Sequence, residues 1–106
     1  MPLYTPTGNL ATSVSNVYVS NGNSAITFLS LCNYSAGNVI ANVYVVPSGS
    51  SAGNTNIVLS NLLITAGDTY QFYAGGEKLL LTNGDSVQAN AKATNSITVV
   101  TSYTSI

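Results

Sequence analysis

Ser86-Val87-Gln88-Ala89-Asn90-Ala91-Lys92-Ala93, followed after Thr94-Asn95-Ser96 by Ile97-Thr98-Val99-Val100-Thr101-Ser102-Tyr103, decides the fold class. In the first run Val87, Ala89, Ala91 and Ala93 alternate with Ser86, Gln88, Asn90 and Lys92. A period of two puts the apolar set on one face of an extended strand and the polar set on the other. The second run repeats the device with Ile97, Val99 and Tyr103. Thr94-Asn95-Ser96 is a connection of hairpin length, so the two runs are expected to pair with each other.

The same texture extends through the chain. Turn signals recur at Asn21-Gly22-Asn23, Ala36-Gly37-Asn38, Pro47-Ser48-Gly49, Ala66-Gly67-Asp68, Gly75-Gly76 and Asn83-Gly84-Asp85. Such residues accept positive φ or close a turn through a short polar side chain. Between them lie runs rich in Val, Ile, Thr and Tyr, which favour strands. Strands are expected near 10–20, 24–34, 39–46, 57–64, 69–74, 77–82, 86–93 and 97–104. The 39–46 run is apolar on both faces, with Val39, Val43 and Val45 on one and Ile40, Tyr44 and Val46 on the other. That suits a central strand, or one whose outer face meets another subunit. No segment keeps a helical period. The expectation is an all-β fold: a single antiparallel β-sandwich, Ig-like or jelly-roll-like, of seven or eight short strands over 10–106. Residues 1–9 read as an extended N-terminal arm that pairs with a neighbour or frays. The long Ser/Gly/Asn-rich connection 47–56 is expected to cross between the sheets.

Composition narrows the chemistry. Of 106 residues 5% are charged, namely Asp68, Glu77, Lys78, Asp85 and Lys92, and there is no histidine. A typical soluble domain is roughly one quarter charged. Acid–base and nucleophilic catalysis need titratable groups placed together, and few are present, so no enzymatic activity and no catalytic residues are expected. A Ser–His–Asp or Cys–His arrangement has no histidine to use. A zinc site cannot be assembled from one cysteine and no histidine, and calcium wants more carboxylates than these turns supply, so no metal and no cofactor is expected. Asp68 and Asp85 read instead as turn residues that open the next strand. Two lysines cannot neutralise a nucleic-acid backbone or dock the chain on an anionic membrane. The start, Met1-Pro2-Leu3-Tyr4-Thr5-Pro6, has neither the charged nor the apolar region of a secretory signal.

Three features remain. Cys32, amid Phe28, Leu29, Leu31 and Tyr34, reads as a buried small hydrophobe. Asn33-Tyr34-Ser35 matches a glycosylation sequon, but a chain without a signal peptide is rarely glycosylated. Seven tyrosines fall mostly within strand runs, where half-buried rings with wet hydroxyls are expected. Tyr is enriched in interface cores, and Tyr4, Tyr44, Val46 and Tyr73 are the candidate interface residues. A net charge of −1 and few Lys or Pro to guard strand edges describe a chain built to associate, so a homo-oligomer is expected.

Leu79-Leu80-Leu81-Thr82-Asn83-Gly84-Asp85-Ser86-Val87-Gln88-Ala89-Asn90-Ala91, leading into Ile97-Thr98-Val99-Val100-Thr101-Ser102-Tyr103-Thr104-Ser105-Ile106, resembles small structural proteins of tailed bacteriophages. Ala41-Asn42-Val43-Tyr44-Val45-Val46-Pro47-Ser48-Gly49 is similar to the same group. The resemblance covers about half the chain and specifies strands and turns, not an activity. It implies a virion component made in the host cytoplasm, with other virion proteins, the major capsid protein or tail components, as partners. The favoured role is a head-surface decoration or cement subunit. The alternatives are a tail, neck or baseplate protein, a host-glycan-binding adhesin module, or a cellular self-assembling surface protein.

Overall fold

A computed structural model describes residues 3–4, 7–72, 79–93 and 95–106. Their regular structure is entirely strand: β1 (Leu3–Tyr4), β2 (Thr7–Asn9), β3 (Ser15–Val19), β4 (Ser24–Asn33), β5 (Val39–Val46), β6 (Ile57–Ile64), β7 (Thr69–Phe72), β8 (Leu79–Leu81), β9 (Ser86–Ala91) and β10 (Ile97–Ser105). Early strands pair with late ones. Both β1 and β2 lie along β10, β3 along β9, β4 along β7 and β8, and β5 along β6, all antiparallel. The chain is in effect one long hairpin bent at 47–56. It is rolled so that β10 also pairs β4 and β9 also pairs β5. One sheet runs β1/β2–β10–β4–β7/β8 and the other β3–β9–β5–β6. This is the expected antiparallel sandwich, and its strand order is that of a jelly roll.

The expected hairpin between 86–93 and 97–103 does not form. β9 and β10 belong to different sheets, and each is flanked on both sides by other strands. The short connection turns a corner at Asn95, whose φ is 53°. Its ends are held apart by Lys92 N–H donating to Ile40 O (2.9 Å) and Tyr34 N–H donating to Ser96 O (3.0 Å). Short linkers with turn residues serve hairpins and corners alike, so the local signal could not choose. The long connection 47–56 also departs from expectation. It joins β5 to β6 within one sheet and braces itself, with Ser50 N–H on Pro47 O, Asn56 Nδ2 on Ser51 O and Gly53 N–H on Asn56 Oδ1.

The core lies where the inner faces meet. It joins Ile26, Leu29 and Leu31 of β4, Ile97 and Val99 of β10, Val39, Ala41 and Val43 of β5, and Val87, Ala89 and Ala91 of β9. The alternation read in β9 and β10 is therefore the buried pattern. Each fully buried aliphatic side chain contributes about 1.5–3 kcal/mol. Two strands reach the core out of phase with a simple period of two. In β4 the inward set changes from Ser24 and Ile26 to Leu29, Leu31 and Asn33, because Thr27 is an extra, unpaired residue of β4 opposite the Ser102–Tyr103 step of β10. In β6, Leu59 and Leu62 both pack against the core because the ladder shifts around Asn61, which turns at φ 53°.

Across the sandwich the rings of Tyr18 and Tyr103 meet with centroids 4.0 Å apart. Tyr18 Oη donates to Ser24 Oγ (3.0 Å), which shares a 2.6 Å hydrogen bond with Ser20 Oγ. The outer face of the second sheet is tied by amides. Asn42 Nδ2 donates to Asn90 Oδ1 (3.2 Å), Asn90 Nδ2 to Thr12 O (3.1 Å), and Asn61 N–H to Asn42 Oδ1 (2.8 Å).

Among the described residues one buried side-chain polar atom has no partner, the Thr101 hydroxyl, on a residue 0% exposed. A buried hydroxyl without a hydrogen bond carries a desolvation penalty that an isosteric methyl does not. Thr101→Val is expected to stabilise the protein by about 1 kcal/mol. Urea unfolding checks this: the midpoint should rise with the slope unchanged, and a lower midpoint contradicts the assignment.

Candidate interaction surface

None of the ten described strands contains a charged residue. The three described charged side chains, Asp68, Asp85 and Lys92, all stand in connections at the ends of the sandwich. Among the described residues, no three of Cys, Asp and Glu come together. What the structure presents to a partner is neutral strand.

The exposed large apolar side chains gather on the edges. Leu80 of β8 is 67% exposed, Leu63 of β6 56% and Tyr70 of β7 39%, with Val58 of β6 and Val19 of β3 also exposed. These are the outermost strands of their sheets. The longest open edge is β6, which has neither lysine nor proline within it, and whose guard is the interruption at Asn61. An edge so composed is a template for pairing with another chain.

The candidate interface residues fall differently. Tyr44 is half-buried on the outer face of β5, opposite Gln88 of β9 and Ile57 of β6. Val46 lies on the same face but is 2% exposed, so its own chain covers it and it offers nothing to a partner. Tyr4 sits in β1, its backbone paired with Tyr103. The arm expected to reach a neighbour is thus, in its described residues, an edge of the chain's own sheet. Tyr73 lies outside the described residues. Cys32, expected to be buried, is half-buried, because the bulge in β4 puts it outward between Thr98 and Thr69.

Two residue clusters pin the ends, and sequence reading missed both roles. At one end Asn33 is 0% exposed. Its Nδ2 donates to Gly37 O and Ile64 O, each at 2.8 Å, and its Oδ1 accepts from Ser35 N–H (3.0 Å) and Ser35 Oγ (2.7 Å). Its backbone accepts from Gly67 N–H and donates to Asp68 O, both at 2.9 Å. The sequon asparagine is therefore a structural clamp with no free amide for a glycan. At the other end Asp85 Oδ1 accepts from Ser48 N–H (2.9 Å) and Oδ2 from Thr82 N–H (3.0 Å) and Thr82 Oγ1 (2.9 Å). The neighbouring turns interlock: Gly22 N–H donates to Asn83 Oδ1, and Gly84 N–H donates to Ser20 O, each at 2.9 Å.

Two shallow openings mark the sides where the sheets part. One, about 90 Å³, lies between β2 and β3 around Asn9, Ser15 and Asn16. The other, about 220 Å³, lies between β6 and β7. The chain matches no protein-family model, and no curated protein matches its sequence.

Asp85 gives the ends a pH dependence. Its carboxyl is held below its ordinary value, first by the Thr82 N–H, then by the Ser48 N–H and the Thr82 hydroxyl, with burial opposing slightly. A carboxyl with a lowered folded pKa adds stability above its unfolded pKa, and that contribution is lost as pH falls through the folded pKa. Denaturant midpoints are expected to be flat in Asp85 near neutrality and to decline below about pH 4, the usual aspartate range. Asp85→Asn should lower the neutral midpoint and flatten part of the acid decline. An acid decline identical to that of the unchanged protein contradicts the assignment.

Proposed function

We propose that this chain is a non-enzymatic structural subunit of a tailed-phage particle, acting as a decoration or cement subunit on the head surface. The observation that carries the reading is the absence of charge from every described strand, combined with apolar side chains along the open edges. Charge repulsion and lysine guards normally keep such edges apart. Here those safeguards are thin, and the fold invites lateral contact. The resemblance of 41–49, 79–91 and 97–106 to phage structural proteins supplies the setting.

The mechanism is passive. The jelly roll presents neutral edges and faces in fixed geometry, and repeated copies add many weak contacts into a firm attachment. Val58 and Leu80 are the contact residues on the two edges, and each is exposed in the single chain.

Light scattering on the size-exclusion eluate, across a concentration series, tests this reading. A closed oligomer is expected. Val58→Lys or Leu80→Lys should weaken it at least about tenfold, roughly 1.4 kcal/mol, without lowering the unfolding midpoint. A monomer at every concentration contradicts self-association.

A further inference from the structure

Asparagine is followed by glycine at two positions, Asn21-Gly22 and Asn83-Gly84. The fold brings both to one end of the sandwich. Residues 20–23 connect β3 to β4 and residues 82–85 connect β8 to β9, so each link crosses from one sheet to the other. The flanking strands are paired, Val19 with Ser86 and Ser24 with Leu81, and the two links run side by side. The glycines supply the positive φ of these turns, 76° at Gly22 and 88° at Gly84.

An Asn–Gly step carries its own reactive pair. The glycine nitrogen, with no side chain beside it to hinder approach, loses its proton to solvent base and attacks the asparagine Cγ. The new C–N bond closes a succinimide ring, and the side-chain nitrogen leaves as ammonia. Water then opens the ring at either carbonyl, giving aspartate or isoaspartate. Both asparagines are exposed to solvent, so access alone leaves both open to this reaction.

The hydrogen bonds close it. Gly22 N–H, the nucleophile for Asn21, donates to Asn83 Oδ1 (2.9 Å). Gly84 N–H, the nucleophile for Asn83, donates to Ser20 O (2.9 Å). Each nitrogen is held by the opposite turn. Ser20 N–H on Asp85 O (2.8 Å) and Asp85 N–H on Thr82 O (3.1 Å) brace the pair. Attack requires the nitrogen to give up its hydrogen bond and its proton and to swing toward Cγ, which requires the turns to part by local opening.

We propose that Asn21 and Asn83 are latent deamidation sites, latched by each other's turns, that convert once this end of the sandwich opens. The mark is one-way. Isoaspartate at position 83 lengthens the backbone of a tight turn and sets a second carboxylate two residues from Asp85, so the latch does not re-form as it was. The proposal does not rest on the virion reading.

Peptide mapping by mass spectrometry, over a time course in mildly alkaline buffer, reads both sites. In the folded protein each is expected to convert at least tenfold more slowly than in the chain unfolded in guanidinium. Asn83→Ala removes the acceptor of Gly22 N–H and should speed conversion at Asn21 at least tenfold. Asn83→Asp keeps an acceptor oxygen there and should leave Asn21 slow. Conversion of either site in the folded protein at the unfolded rate overturns the proposal. So does conversion of Asn21 in Asn83→Ala no faster than in the unchanged protein, or in Asn83→Asp as fast as in Asn83→Ala. If Asn83→Ala does not fold, amide hydrogen exchange of the unchanged protein decides: Gly22 and Gly84 should exchange at least tenfold more slowly than in the unfolded chain, and exchange of either at the unfolded rate overturns the latch.

Discussion

The carboxamide of Asn33 is the constraint on which the rolled hairpin depends. A jelly roll sends its chain from sheet to sheet at each end, and every crossing strands backbone groups that no ladder can satisfy. Here β4 ends, β5 begins, β6 ends and β7 begins at one end of the sandwich. An amide offers two donors and an acceptor with two lone pairs, so one side chain can serve carbonyls and N–H groups together. Asn33 uses all of that capacity, on Gly37, Ile64 and Ser35. Its backbone adds the turn at 65–68. The connections are thereby fixed relative to one another before the strands' side chains are considered.

The opposite end solves the same problem with different groups. Asp85, Thr82, Ser48, Asn83, Ser20 and the amides of Gly22 and Gly84 close on one another. Gly84 has φ 88°, and a Cβ there would stand 2.5 Å from Ser48 Oγ, so the turn admits only glycine without distortion. With both ends stapled by polar groups, the strands need no charge of their own. That economy leaves the described strand edges neutral.

Much of the fold was legible in the sequence. The alternation of Val87, Ala89 and Ala91 against Gln88 and Lys92, and of Ile97 and Val99 against Thr98, is the inner and outer face as built. The turn readings at Gly67-Asp68 and Gly84-Asp85 hold, because glycine at positive φ leaves few other conformations. Long-range pairing was not legible. The connection 92–96 has the length and residues of a hairpin, and only the competition of β3, β5 and β4 for the same edges sends β9 and β10 to different sheets. The phase changes at Thr27 and Asn61 were hidden because a bulge is set by the partner strand. Cys32 was misjudged for that reason. Val46 is buried although it lies on the outer face of β5, because a strand's outer face can still be covered by its own chain. Asn33 carried a signal, an asparagine at a strand end before Ser35 and Gly37, but its sequon obscured it.

Urea unfolding of Asn33→Asp against the unchanged protein at neutral pH tests the central claim most directly. Aspartate keeps the shape and acceptor oxygen but loses both donors, taking the Asn33 hydrogen bond from Ile64 O, leaving Gly37 O with the Ser35 hydroxyl alone, and burying a charge. The account predicts a loss of at least about 2 kcal/mol, with a lower midpoint and no gain elsewhere. Stability within about 0.5 kcal/mol of the unchanged protein, the range of an ordinary surface substitution, would contradict it.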